Sequence, residues 1–338
     1  MHIMVRQGSG ARNLQDLLPL INPQTARRMM WSTDDRHPHD LLGEGHIDSL
    51  VRLAVRGGVD PILAIQMATL NPARYFGLDD IGAVAPGKRA DLVVLDDLKA
   101  PVVRQTYLGG QLWAEDGRLV KQIESPAAVP PPATMHVPLE KLDFSVKARG
   151  SRLRVIQVVP GQIVTAAETA EAVVRDGLAV SHVPGDLLKI IVVERHHGSG
   201  STGVGFIRGF GLKKGALASS VAHDSHNIVA VGVEDHDLRL AVESLVKMGG
   251  GLVAVADGKV LARTELPIAG LMSEAPVEQV REQLDRLLDA ARRLGSPLED
   301  PFMTLSFMAL PVIPSLKLTD KGLVDVEKFE IVPLFLCV

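Results

Sequence analysis

Cysteine is almost missing from this 338-residue chain: the single one is Cys337. Neither a disulfide framework nor a cysteine metal cluster can therefore organise it, and such usage suits a reducing cytoplasm. Aromatic residues are scarce as well, at 4%, which leaves aliphatic side chains to fill the core. No uninterrupted apolar run approaches the roughly 20 residues that a bilayer-spanning helix needs. The opening Met1-His2-Ile3-Met4-Val5-Arg6 has no apolar stretch of signal length. Basic residues are not in surplus, the net charge being −4, so no nucleic-acid partner is indicated. What is present, 46% apolar and 22% charged residues, describes a globular chain long enough for two domains.

The local pattern begins as α/β. His2–Val5 reads as a strand, followed by a Gly8-Ser9-Gly10 turn and a helix capped near Asn13. Met29–Thr33 reads as a second strand that runs into Asp34-Asp35. Between Gly43 and Arg56 the residues Ile47, Leu50, Val51, Ala54 and Val55 recur at helical spacing, and Gly57-Gly58 ends the helix. Asp60-Pro61 and Asn71-Pro72 each read as an N-cap followed by a helix-starting proline. After Gly82 the period shortens. Leu92–Leu95, Val102–Tyr107 and Gln111–Trp113 read as strands of a small β module, with turns at Gly109-Gly110 and Asp116-Gly117. The proline-rich stretch 126–138 reads as a linker. Beyond it come strands at Leu153–Val159, Leu188–Val193 and Ile228–Val233, and helices at Asp235–Met248 and Val277–Leu294. The expected division is 1–78, 79–125, the linker 126–138, and an α+β domain over 139–338.

Chemistry concentrates at Asp34-Asp35-Arg36-His37-Pro38-His39-Asp40, with three aspartates and two histidines in seven residues. Carboxylate and imidazole are the ligands that divalent metals of hard or borderline character accept. An aspartate at the end of a barrel strand can bind such a metal and take a proton from attacking water. A plainer role is open to the same residues, since aspartates also cap turns and helices.

The segment Ser32-Thr33-Asp34, its Asp-Arg-His-Pro-His loop and Asn71-Pro72-Ala73-Arg74 resemble the last strand and helices of the amidohydrolase superfamily. The tail Gly82-Ala83-Val84-Ala85-Pro86-Gly87-Lys88-Arg89-Ala90-Asp91-Leu92-Val93-Val94-Leu95-Asp96 resembles the strand that returns to its small β-sandwich. Within that superfamily Met1–Leu14, Thr33–Leu42, Glu194–Gly198 and Val221–Asn227 resemble the adenine deaminase family, and the long region after the tail fits it. Dihydroorotase-like and deacetylase-like relatives, the alternatives in the same class, normally stop soon after the tail.

The resemblance implies the C-terminal part of a (β/α)8 barrel of the TIM type, then a small β module and the α+β domain. It implies hydrolytic deamination of adenine, within purine catabolism, by a metal-activated water. Asp34 takes the position of a metal ligand and proton acceptor, in a binuclear centre of manganese or iron. Asp35, His37 and His39 are candidates for supporting or substrate contacts. The family pattern also needs a His-x-His on the first barrel strand, and His37-Pro38-His39 follows the last-strand aspartate instead. A whole barrel takes roughly 250 residues. The expectation is therefore a chain without its amino-terminal portion, inactive alone, with exposed apolar faces prone to association; a non-catalytic remnant or binding module is the alternative. Homo-oligomerisation is left open.

In the second half, His223-Asp224-Ser225-His226 lies just before a strand. Sequence neighbours seldom form a hydrolytic triad, so His223, Ser225 and His226 are instead candidates for a substrate-side or interdomain loop, or for turn caps. Glu194-Arg195 reads as a paired charge at a strand end. The glycines from 198 to 215 match no phosphate-binding fingerprint and read as turns and close backbone approaches.

Overall fold

The computed structural model describes residues 1–9, 12–120 and 132–336. Cys337 and residues 126–131 of the expected linker lie outside the described residues. The chain divides into two compact units, Met1–Val129 and Pro130–Val338. Among the described residues no helix is long and apolar enough to cross a membrane.

The first unit opens with β1 (Ile3–Gln7), α1 (Leu14–Leu17) and β2 (Met29–Thr33). β1 and β2 pair in parallel, Val5 opposite Trp31 and Gln7 opposite Thr33. Four helices follow: α2 (Pro38–Gly43), α3 (Ile47–Arg56), α4 (Pro61–Ala68) and α5 (Leu70–Tyr75). The single helix expected over 43–56 is interrupted because Gly45 adopts φ +103°, a conformation no helix continues through. Leu50, Val51 and Ala54 of α3 pack with Ala64 and Met67 of α4 against Val5, Met29 and Trp31, and the Trp31 indole donates to the Ala64 carbonyl at 2.8 Å. Asp60 caps α4 as read, its Oδ1 accepting from Ile62 and Leu63 N–H. Asn71 does not cap: it lies inside α5 and donates to the carbonyls of Ala26 and Met29, both at 2.7 Å. Asn13 stands before α1, but its side chain makes no capping bond. A four-stranded antiparallel sheet completes the unit: β3 (Leu92–Leu95), β4 (Val103–Leu108), β5 (Gln111–Glu115) and β6 (Arg118–Leu119). A closed barrel is not formed by these residues, and the architecture is mixed α/β.

The second unit contains β7 (Arg152–Val158), β8 (Thr165–Glu171), β9 (Val174–Arg175), β10 (Leu178–Ala179), β11 (Leu188–Val193), β12 (Thr202–Arg208), β13 (Ala216–Ser219) and β14 (Ile228–Gly232). There follow α6 (Asp235–Lys247), β15 (Gly251–Ala256), β16 (Lys259–Glu265), α7 (Val277–Leu294), α8 (Pro301–Phe307), β17 (Leu316–Thr319), β18 (Gly322–Asp325) and β19 (Glu330–Ile331). Its main sheet has the order β16-β15-β13-β14-β11-β12-β7-β8, antiparallel except where β12 meets β7. Alternate side chains of a strand face opposite sides, and both sides here are covered. Leu188, Ile190 and Val192 pack toward α7, α8 and β17, while Ile191 and Val193 pack toward α6, Leu142 and Phe144. Burial on both faces explains why β11 reads as an unbroken apolar run. Residues 132–138, read from sequence as linker, include Met135 and Val137, which pack on this second face.

The glycine-dense segment is strand rather than turn at Gly203 and Gly205. A Cβ on Gly203 would lie 1.9 Å from the Thr319 carbonyl oxygen, so β12 and the end of β17 approach through the missing side chain. Gly203→Ala should therefore cost about 1–3 kcal/mol, the range for overpacking. Urea unfolding followed by far-UV circular dichroism checks this, and an unchanged midpoint would refute the close approach.

Candidate functional site

The loops that leave β1 and β2 run side by side because the strands are parallel. Ser9 N–H donates to the Asp35 carbonyl at 2.6 Å, and Asp34 N–H to the Gln7 carbonyl at 3.3 Å. Gly8 permits the approach, since a Cβ there would fall 2.9 Å from the Asp34 Cβ. The Asp34 carboxylate forms an ion pair with Arg6 and stays partly exposed. It sits one residue beyond the C-terminal end of β2, a position from which α/β barrels present reactive groups.

Asp40 behaves differently from Asp34. It is buried, inside α2, and accepts from the Ser9 hydroxyl and from Arg12 Nη2 at 3.0 Å, with His39 Nε2 at 3.2 Å. Ser9 Oγ in turn accepts the His37 N–H at 2.9 Å. Burial alone would raise the Asp40 pKa, but the Ser9 hydrogen bond and the charges of His39, Arg12 and Arg36 outweigh it and hold the carboxyl below its ordinary value. Arg36 reaches Glu44 at 3.1 Å and the Gly45 carbonyl at 2.8 Å. His37 and His39 lie with ring centroids 5.6 Å apart. Of the seven-residue cluster, then, Asp34 faces outward on Arg6, whereas Asp40 fastens the two loops together. From sequence Ser9 reads only as part of a turn and Arg12 carries no reading; the available signal was a serine between glycines just past the first strand.

A divalent metal is the cofactor that an Asp/His loop of this composition suggests. Among the described residues no group of three or more His, Cys, Asp or Glu comes together to hold one, and Asp34 already has a cationic neighbour. These residues do not by themselves make a metal centre.

In the second unit the loops at residues 194–201 and 221–227 meet. Glu194 and Arg195 do not pair with each other. The Glu194 carboxylate accepts the N–H groups of His196, of His197 at 2.8 Å and of Ser199 at 3.1 Å, and the Ser199 hydroxyl at 2.8 Å. Burial would raise its pKa, but these four donors push it down to about 2. Arg195 donates to the carbonyls of His226, Thr134 and Ala269. His196 Nε2 lies 2.8 Å from the Ser225 carbonyl. The His223 ring stacks on Phe307, centroids 5.0 Å apart and planes 20° from parallel, and lies 5.5 Å from the His226 ring. The His226 pKa is lowered by burial first, then by the neighbouring His223, Arg195 and His196, with Asp224 opposing. Ser225 enters these contacts through its backbone carbonyl, which is not the geometry of a nucleophile poised on a histidine.

Comparison with known proteins follows the same two units. A sequence model described as the adenine deaminase C-terminal domain matches residues 162–330, and one described as the amidohydrolase family matches residues 4–113. The adenine deaminase of Desulfatibacillum aliphaticivorans is 55% identical over 99% of this chain and 59% of its own length. That of Methanothrix thermoacetophila is 50% identical over 99% of this chain and 58% of its own length. That of Dehalococcoides mccartyi strain 195 is 46% identical over 98% of this chain and 58% of its own length. The chain thus spans a little under three fifths of the length of the curated relatives it matches.

Proposed function

The chain belongs to the adenine deaminase family, and from that premise we propose that it serves the hydrolytic deamination of adenine to hypoxanthine and ammonia. The observation that carries this reading is the extent of the match, which runs through both units. Water adds at the purine carbon bearing the amino group, the C–N bond breaks, and the departing amine takes up a proton. We assign the proton-accepting role to Asp34, because a partly exposed carboxylate just past a strand end can reach a bound substrate. On the same reading β1, β2 and their helices are part of a (β/α)8 barrel, and Asp35, His37 and His39 support the Asp34 loop. His223, Ser225 and His226 are proposed as the groups of the second unit that meet the purine. Amidohydrolases imply a divalent metal, with manganese as our reading. Because the described residues do not assemble its ligands, no step is assigned to it. We place the activity in the cytoplasm and in purine breakdown.

Adenine titrated into the purified chain tests the substrate class. The ring resonances of His223 and His226 should shift with adenine and stay put with cytosine. Binding that leaves both rings unmoved would remove them from the purine site, and an absence of adenine binding would sink the reading itself.

A further inference from the structure

Glu194 and Arg195 follow β11 directly, carry opposite charges, and are 7% and 1% exposed. Each is satisfied on its own side. Four donors from residues 196–199 saturate the Glu194 carboxylate, which folds the His196-His197 loop around it. The Arg195 guanidinium reaches three carbonyls from three separate segments, at His226, Thr134 and Ala269. The carbonyl of Arg195 also accepts the His136 N–H at 2.8 Å. The Arg195 head group packs close to Gly270, where an added Cβ would stand 3.0 Å from Cζ and Nη1. A carbonyl can only accept, so the 2.8 Å contact between His196 Nε2 and the Ser225 carbonyl makes His196 the donor and ties the two loops together. His226 is fixed as well: φ is +52°, its N–H donates to the Ala222 carbonyl at 2.6 Å, and its Nδ1 accepts the Ala222 N–H at 3.1 Å. Nδ1 is therefore unprotonated and the ring proton sits on Nε2.

Burying a guanidinium among neutral carbonyls, with no carboxylate among the described residues to pair it, carries a desolvation cost that its three hydrogen bonds offset only in part. Its fork suits a different task, since only arginine presents several donors in one rigid plane. We propose that Glu194 and Arg195 are positioning residues, which together lock the His196-His197 and His223–His226 loops into one arrangement that receives the substrate. This rests on the reading that these loops meet adenine.

The test uses the full chain with Arg195→Met, Arg195→Lys and Glu194→Gln. Amide exchange at His136, Ala222 and His226 should speed up about tenfold or more in Arg195→Met, as expected for loss of charge-assisted hydrogen bonds. Exchange at Val192 and Val229 in the sheet should hold. The Nε2–H tautomer of His226, read from ring nitrogen shifts, should become mixed, and Arg195→Lys should fail to restore it. Adenine binding should weaken about tenfold in parallel. Loops that stay protected, or a lysine variant that restores the tautomer, would overturn the proposal. So would loops that loosen in a variant that binds adenine as tightly as wild type. Should Arg195→Met fail to fold, Glu194→Gln decides by exchange at His197 and Ser199. Should the wild-type chain bind no adenine, the functional reading falls, while exchange and tautomer still decide whether the two residues position the loops.

Discussion

Purified chain mixed with adenine and manganese should release ammonia no faster than manganese alone. The expectation comes from the site. The Asp34 carboxylate has Arg6 against it, and no three His, Cys, Asp or Glu among the described residues converge on a common point. Enzymes of this kind supply rate factors of about a millionfold or more, and such factors come from several groups acting on one bound substrate. One carboxylate without further ligands cannot hold a metal and move the proton at once, whatever other groups contact the purine. Ammonia release and hypoxanthine formation are measured together, with Asp34→Asn beside the wild type. Turnover well above the metal blank that is abolished in Asp34→Asn would mean that the chain completes its own site, and the expectation of an incomplete one would be wrong. Equal background rates in the two proteins would uphold it.

The position of Asp34 was open to inspection in the sequence, whereas the function of its neighbours was not. Met29–Thr33, Leu188–Val193 and Val277–Leu294 appear with the bounds read from the pattern, because apolar period and terminal signals agree there. Local rules fail where a side chain chooses a distant partner. Asp60-Pro61 and Asn71-Pro72 look alike, yet Asp60 caps its own helix, while Asn71 turns to carbonyls more than forty residues away in sequence. The adjacent charges of Glu194 and Arg195 suggest a pair, but four local donors and three remote carbonyls compete for them and win. Asp40 follows the same logic, since its partners Ser9 and Arg12 come from the preceding strand's loop. The break at Gly45 was concealed because Ile47 to Val55 dominates the helical period around it.

Stability of the second unit should rise as pH climbs from about 8 to 10.5, and the cause is Lys317. Its side chain is fully buried on β17, with Nζ donating to the carbonyls of Ile163 at 2.9 Å and Phe307 at 3.0 Å. Burial lowers its pKa from 10.5 to about 8. Between those values the unfolded chain carries a proton on this amine that the folded chain has lost. The unfolding free energy therefore increases with pH in that window. Below pH 8 both states are protonated and the folded state bears the whole penalty of a buried ammonium. A shift of this size corresponds to about 3 kcal/mol. Lys317→Met removes the titration but leaves the two carbonyls short of a donor, at about 1–3 kcal/mol each, so at neutral pH its stability should lie near or below that of the wild type while its pH dependence flattens. Both tryptophans and both tyrosines lie in the first unit, at Trp31, Trp113, Tyr75 and Tyr107, so aromatic fluorescence would follow the wrong half of the molecule. Amide exchange in β11 and β14 reads the second unit directly. A wild-type slope between pH 8 and 10 no steeper than that of Lys317→Met would show that the amine keeps its ordinary pKa despite its burial.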